Sequence, residues 1–130
     1  LQDASRSGVY RAARAGDVVE ALSGSKLALE RIRFGEKDVL LGNVAAALEF
    51  PGWFGRNWDA LEDCLGDLSW SDAPGHVLIV EDARPGDELG IFSDVLRSSA
   101  EHWAARGRPF FALFVDPAGA LPLPPLYRDR

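Results

Sequence analysis

Two short runs of uninterrupted apolar residues restrict this chain more than any other feature: His76–Val80 (His-Val-Leu-Ile-Val) and Phe110–Val115 (Phe-Phe-Ala-Leu-Phe-Val). A strand with one face in water alternates apolar and polar residues, whereas a strand covered on both faces has no reason to. Runs this short suit a doubly covered strand better than a buried helix. Between them, Leu89, Phe92, Leu96, Ala100 and Trp103 recur at helical spacing over Asp87 to Arg106, and Gly107 ends the pattern. Strand, amphipathic helix, strand is the unit that returns a chain parallel to itself. The pattern therefore predicts an α/β domain with crossover helices packed on a small parallel sheet.

The upstream sequence supplies the remaining elements. Lys26 to Phe34 alternates through Leu27, Leu29, Ile32 and Phe34, a further strand. Gly35-Glu36-Lys37 turns into a helix over Asp38 to Phe50, with Val39, Leu40, Val44, Ala47 and Leu48 expected on its buried side. A second helix runs from about Trp58 to Leu68. The order β-α-α-β-α-β predicts a three-stranded sheet within one domain, residues 26–116. Residues 1–25 read as a polar extension with a short helix from Asp17 to Leu22, N-capped by Asp17 and broken by Ser23-Gly24-Ser25. Residues 117–130 read as a Pro-rich tail, extended or disordered.

Composition narrows the function. A chain of 130 residues with a formal net charge of −6 lacks the basic balance of a nucleic-acid binder, so no direct nucleic-acid contact is expected. The single cysteine, Cys64, allows no intrachain disulfide and no cysteine-based metal site. No segment has the length of a membrane span and none has the form of a signal peptide, so a reduced cytoplasm is the expected compartment. The chain contains no Met, even at position 1, which suggests a trimmed amino terminus.

The most unusual stretch is Phe50 to Leu65. Phe50, Trp53, Phe54 and Trp58 crowd one loop, although exposed aromatic area is costly unless a core or a partner covers it. Gly52 and Gly55 are expected to let this loop turn tightly. Asn57 is a favourable N-cap for the helix that follows. At about 100° per residue, Trp58, Leu61, Leu65 and Leu68 form one stripe, and Asp59, Glu62, Asp63 and Asp67 centre on the opposite side. Carboxylates one turn apart repel each other, so helix stability alone does not explain them. A solvated helix face is the more ordinary explanation of such a cluster taken by itself. The aromatic loop beside it is what favours a surface that meets something cationic.

From Phe50 to Leu65 the chain resembles the barstar family of ribonuclease inhibitors, whose pattern is Pro-x-aromatic-aromatic-Gly-x-Asn-x-Asp-Ala-Leu-x-Asp-x-Leu. Pro51, Trp53, Phe54, Gly55, Asn57, Asp59, Ala60, Leu61, Asp63 and Leu65 fill its fixed positions, and Cys64 matches a cysteine often seen there. The resemblance covers about Lys26 to Asp116 and implies a barstar-like fold. It implies that the chain, a monomer when free, blocks the active site of a barnase-like ribonuclease with carboxylates standing in for substrate phosphate. The implied partner-binding residues are Trp53, Phe54, Gly55, Asn57, Asp59, Glu62, Asp63 and Asp67, with Asp63 the central anchor and Asp59 a second. Glu62 departs from the family's best-known member, which has an aromatic there, and Glu88 and Asp94 are candidate counterparts for a later acidic contact. An immunity or interaction module for a partner other than a ribonuclease is the alternative.

Other chemistry has little support. His76 and His102 lack ligand partners at metal spacing, and structural roles are expected for both. Cys64 beside the apolar stripe reads as a small core residue. Asp59 and Asp63 are conceivable as an acid/base pair, but general acid catalysis needs one carboxyl raised in a desolvated cleft. The chain is therefore expected not to be an enzyme and to use no cofactor and no metal.

Overall fold

In the computed structural model, residues 3–52 and 54–126 are described. The elements in chain order are β1 (Gly8–Ala12), α1 (Ala15–Ala21), β2 (Ala28–Arg33), α2 (Lys37–Ala47), α3 (Trp58–Asp67), β3 (His76–Glu81), α4 (Asp87–Ala104) and β4 (Phe110–Val115), after a 3-10 turn at Ala4–Arg6. The four strands form one parallel sheet in the order β1-β4-β3-β2. The apolar runs β3 and β4 thus occupy the two central places, where both faces and both edges are covered.

The strand residues divide by alternation into two cores. Ile32, Leu78, Val80, Phe110, Ala112 and Phe114 face α2, α3 and α4. Phe92 of α4 is the hub on this side, with the rings of Phe34, Trp58 and Phe114 centred 6.0 to 6.4 Å away. Val77, Ile79, Phe111 and Leu113 face the other way, onto Val18 and Leu22 at α1. One seven-residue helix therefore supplies the main cover of the second face.

The sheet differs from the expected three strands by β1. Its five residues (Gly-Val-Tyr-Arg-Ala) hold too little apolar character to stand out, because an edge strand needs burial at only a few positions. α1 begins at Ala15, and Arg14 takes the N-cap position without a side-chain bond. Asp17, expected as the cap, lies in the first turn instead and pairs with Arg14 at 3.1 Å. In α2, Val39 is exposed and Leu41 is fully buried, the reverse of the expected assignment for Val39. α2 packs through Leu40, Leu41 and Val44, which turns its inward stripe away from Val39.

The Pro-rich tail packs onto the sheet. The Arg11 N–H donates to the Pro124 carbonyl (2.8 Å) and the Leu126 N–H donates to the Arg11 carbonyl (2.9 Å), so the tail lies along the outer edge of β1. Asp116 accepts from the N–H groups of Ala120 (3.0 Å) and Leu121 (2.9 Å), fixing the turn into it. Leu121 and Leu123 are buried. At the start of β3, a Cβ on Gly75 would lie 2.6 Å from the Pro109 carbonyl oxygen, so only glycine lets these segments meet.

Because α1 and its C-cap give the second face two of its buried side chains, Val18 and Leu22, Leu22→Ala should cost roughly 2 kcal/mol, the lower range for emptying a leucine site. Urea denaturation against the wild type measures it; an unchanged midpoint would mean that α1 is not the cover.

Candidate functional site

The loop from α2 to α3 is built inward from its aromatics. Phe50 and Phe54 meet edge to face at 4.9 Å, and Trp70 closes on Phe50 at 5.8 Å. The Trp70 Nε1–H donates to the Leu48 carbonyl (2.9 Å), tying the segment after α3 to the end of α2. Phe54 is half-buried and packs against the main core, so much of its ring serves the loop's own anchorage. Trp53 lies outside the described residues.

Gly52 and Gly55, expected to let the loop turn tightly, do so without a left-handed backbone. Glu49 (φ 54°) and Arg56 (φ 51°) adopt that conformation. Gly55 is constrained by proximity instead: a Cβ there would sit 3.3 Å from the amide nitrogen of Asn57. Asn57 caps α3 as its sequence predicts, its side-chain oxygen accepting from the Ala60 N–H at 2.7 Å. The guanidinium of Arg56 lies over α2 at Gly42, where a Cβ would touch it at 3.7 Å.

α3 has two opposed faces. Leu61, Cys64, Leu65 and Leu68 are buried, with Trp58 half-buried beside them, whereas Asp59, Glu62, Asp63 and Asp67 are exposed. Asp59, Asp63 and Asp67 follow one another at intervals of four residues, about 6 Å of rise each. Among the described residues, none of these three forms an ion pair. Asp59 gains from the helix dipole near the amino end. Asp67 does not, since it stands in the last turn, where an anion is disfavoured. The face is exposed and lines neither the large cleft described below nor the small pocket at Trp70 and His76. It suits insertion into another molecule better than enclosure of a small one.

Burial first, and then the charges of Asp63 and Asp67, push the Cys64 thiol above its usual range. The thiol stays protonated and acts as a small core residue. α4 braces the other flank of α3. The Trp103 Nε1–H donates to the Leu65 carbonyl at 2.7 Å, and the Ser98 hydroxyl donates to a Glu62 carboxylate oxygen at 2.8 Å. Ser98 is a residue that the sequence did not single out. Its bond spans 36 positions, and helical spacing says only that Ser98 faces outward.

The remaining acidic candidates lie apart from this arrangement. Asp94 pairs with Arg97 at 2.9 Å. Glu88 lines a cleft of about 1230 Å³ at the carboxyl ends of β2 and β3, together with Arg33, Lys37, Asp38, Asp82 and Arg84. Charges of both signs mix there, and Arg33 and Asp82 pair at 3.3 Å. His76 is buried, shares a hydrogen bond with Ser71 (3.0 Å), and is held below its usual pKa by burial and then by Arg108. His102 stacks edge to face on Trp103. Among the described residues, no group of His, Cys, Asp and Glu can hold a metal ion, and no helix is long and apolar enough to cross a membrane.

A family model described as Barstar (barnase inhibitor) matches residues 26–115, from just before β2 to the end of β4. The chain belongs to the barstar family. No individual curated protein matches it. The barstar match takes in α3, its loop and the three strands read from the sequence, and it leaves β1, α1 and the tail outside. Four parallel-paired strands with helices on them remain a barstar-like α/β fold, carrying one strand more than the sequence suggested.

Two consequences are measurable. Asn57→Ala removes the cap of the acidic helix and should cost about 1 kcal/mol in urea denaturation; no change would show that the tertiary contacts of α3 suffice without it. His76 gives a pH dependence. Its pKa is lower folded than unfolded, so the unfolded chain binds the proton more readily, and stability should fall as pH drops below about 6.5. Glu30, raised by burial and then by Glu49, acts with the opposite sign at lower pH. The loss should therefore be read between about pH 7 and pH 5.5 and be absent in His76→Gln; an equal loss in that variant would remove His76 as its source.

Proposed function

We propose that this chain is an intracellular inhibitor of a barnase-like ribonuclease, acting one to one as a monomer in the cytoplasm. It inserts the acidic face of α3, with the loop before it, into the enzyme's active site. The observation that carries this reading is the row Asp59, Asp63 and Asp67, exposed and without an ion pair among the described residues, within the segment that matches the family.

An enzyme that cleaves RNA must hold a polyanion, so its cleft gathers cations. A helix that presents carboxylates to that cleft reproduces the charge of the phosphates without offering a bond to break. The face is preorganised by the Asn57 cap and the Trp103 brace, which keeps the ordering cost of association low. The net charge of −6 draws a cationic partner in from a distance.

Asp63 is the central anchor and Asp59 the second, near the helix start. Glu62 and Asp67 flank them. Trp53 and Phe54 add aromatic contact, with part of Phe54 retained as internal support, and Gly55 and Asn57 set the shape of the loop. The chain acts by occupancy and carries out no chemistry itself.

Mixing the protein with a panel of barnase-like microbial ribonucleases and following RNA cleavage tests the reading. Loss of cleavage at equimolar inhibitor is expected for at least one enzyme. Undiminished cleavage by all of them, with a non-nuclease partner held through Asp63, would assign the chain as an immunity module of another kind. Asp63→Ala should weaken the complex roughly 30-fold or more, the range of an interface hot spot, while leaving the urea midpoint unchanged, because an exposed carboxylate adds little to stability. Equal damage to folding and binding would overturn the role given to Asp63. Added salt should slow association more than it speeds dissociation, since screening acts on the approach.

A further inference from the structure

Glu62 differs from the other carboxylates of α3 in having a partner on another helix. Its Oε1 accepts from the Ser98 hydroxyl of α4 at 2.8 Å, whereas Asp59, Asp63 and Asp67 accept from no side chain among the described residues. Both ends of the bond are exposed. Water can satisfy either group, so the bond contributes little to the fold. What it does set is direction. A glutamate has several rotatable bonds whose freedom is lost when a partner grips it, and the Ser98 hydroxyl removes part of that freedom beforehand.

The placement of Glu62 is separate from that of Asp63. One residue along α3 is a rotation of about 100°, so its carboxylate lies toward the α4 seam and not at the crest of the acidic row. Arg97, the base next to Ser98, is engaged by Asp94 at 2.9 Å, and no ion pair joins Glu62 to any described base. With Ser98 on Oε1, Oε2 remains open to a charge-assisted donor.

We propose that Glu62 is a specificity-determining contact and Ser98 its positioning residue, so that the recognised enzyme presents a lysine or arginine side chain against the α3–α4 seam. This cation is additional to those met by Asp59 and Asp63. The inference rests on the ribonuclease-inhibitor reading and extends the recognition surface from one helix to two. A barnase-like enzyme with an apolar residue at that place would leave the Glu62 charge unpaired in the interface, so discrimination works by rejection as well as attraction.

The experiment uses whichever barnase-like ribonuclease the wild-type protein inhibits, with association and dissociation rates measured separately. Glu62→Gln should weaken the complex about tenfold, through slower association and faster dissociation. Ser98→Ala should leave association and the urea midpoint unchanged and speed dissociation about threefold, while Ser98→Thr, which keeps the hydroxyl, should stay near the wild type. The double variant should be no weaker than Glu62→Gln alone, because Ser98 acts only through that carboxylate. Additive effects, or a loss of stability in Ser98→Ala without faster dissociation, would overturn the positioning role. A wild-type inhibitor unaffected by Glu62→Gln would overturn the inference alone. A wild-type protein that inhibits no such enzyme would overturn the underlying reading and this inference with it.

Discussion

The constraint on which everything else depends is that β3 and β4 are apolar on both sides. Two central strands of this kind fold only if both faces of the sheet are roofed, and the chain meets the demand unequally. α2, α3 and α4 share the first face around Phe92. The second face relies on α1 and a few partly buried neighbours. The family-matched segment, residues 26–115, contains none of α1 or β1. In this chain the second roof is thus supplied from outside the segment that defines the family.

The same three-helix layer explains how a row of like charges is tolerated. α3 gives Leu61, Leu65 and Leu68 to the core, and this burial outweighs the mild repulsion between carboxylates spaced one turn apart. Its ends are held by means that do not use the acidic face: Asn57 at the start, the left-handed Leu68 at the finish, and Trp103 from α4 at Leu65. The outward face is therefore free of structural duty. Asp67, placed against the helix dipole, shows most clearly that the row does not serve the stability of the helix.

Sequence made the covered strands, the order of the three central helices and the division of α3 legible, because each rests on a period written within a few residues. It did not reveal β1, whose identity as a strand comes from pairing with β4, about a hundred positions away. Nor did it reveal Ser98 or the packing of Phe54, since neighbours across a seam leave no periodic trace. Gly52 and Gly55 illustrate the limit of residue-type reasoning. Glycine signals freedom, yet the strained turns fall on Glu49 and Arg56, while Gly55 answers to the crowding of the Asn57 side chain.

The clasp at the edge of the sheet bears on how the molecule opens. Chain ends are where most domains begin to fray, at little cost in free energy. Here the early strand and the late tail hold one another through the backbone of Arg11, and the Ser7 hydroxyl also accepts from the Phe110 N–H at 2.9 Å. Neither ordered end can loosen without disturbing the other. Opening from the termini becomes one cooperative event that releases β1 and the tail together. Backbone amides along that edge then share one opening free energy, instead of a gradient rising from each end.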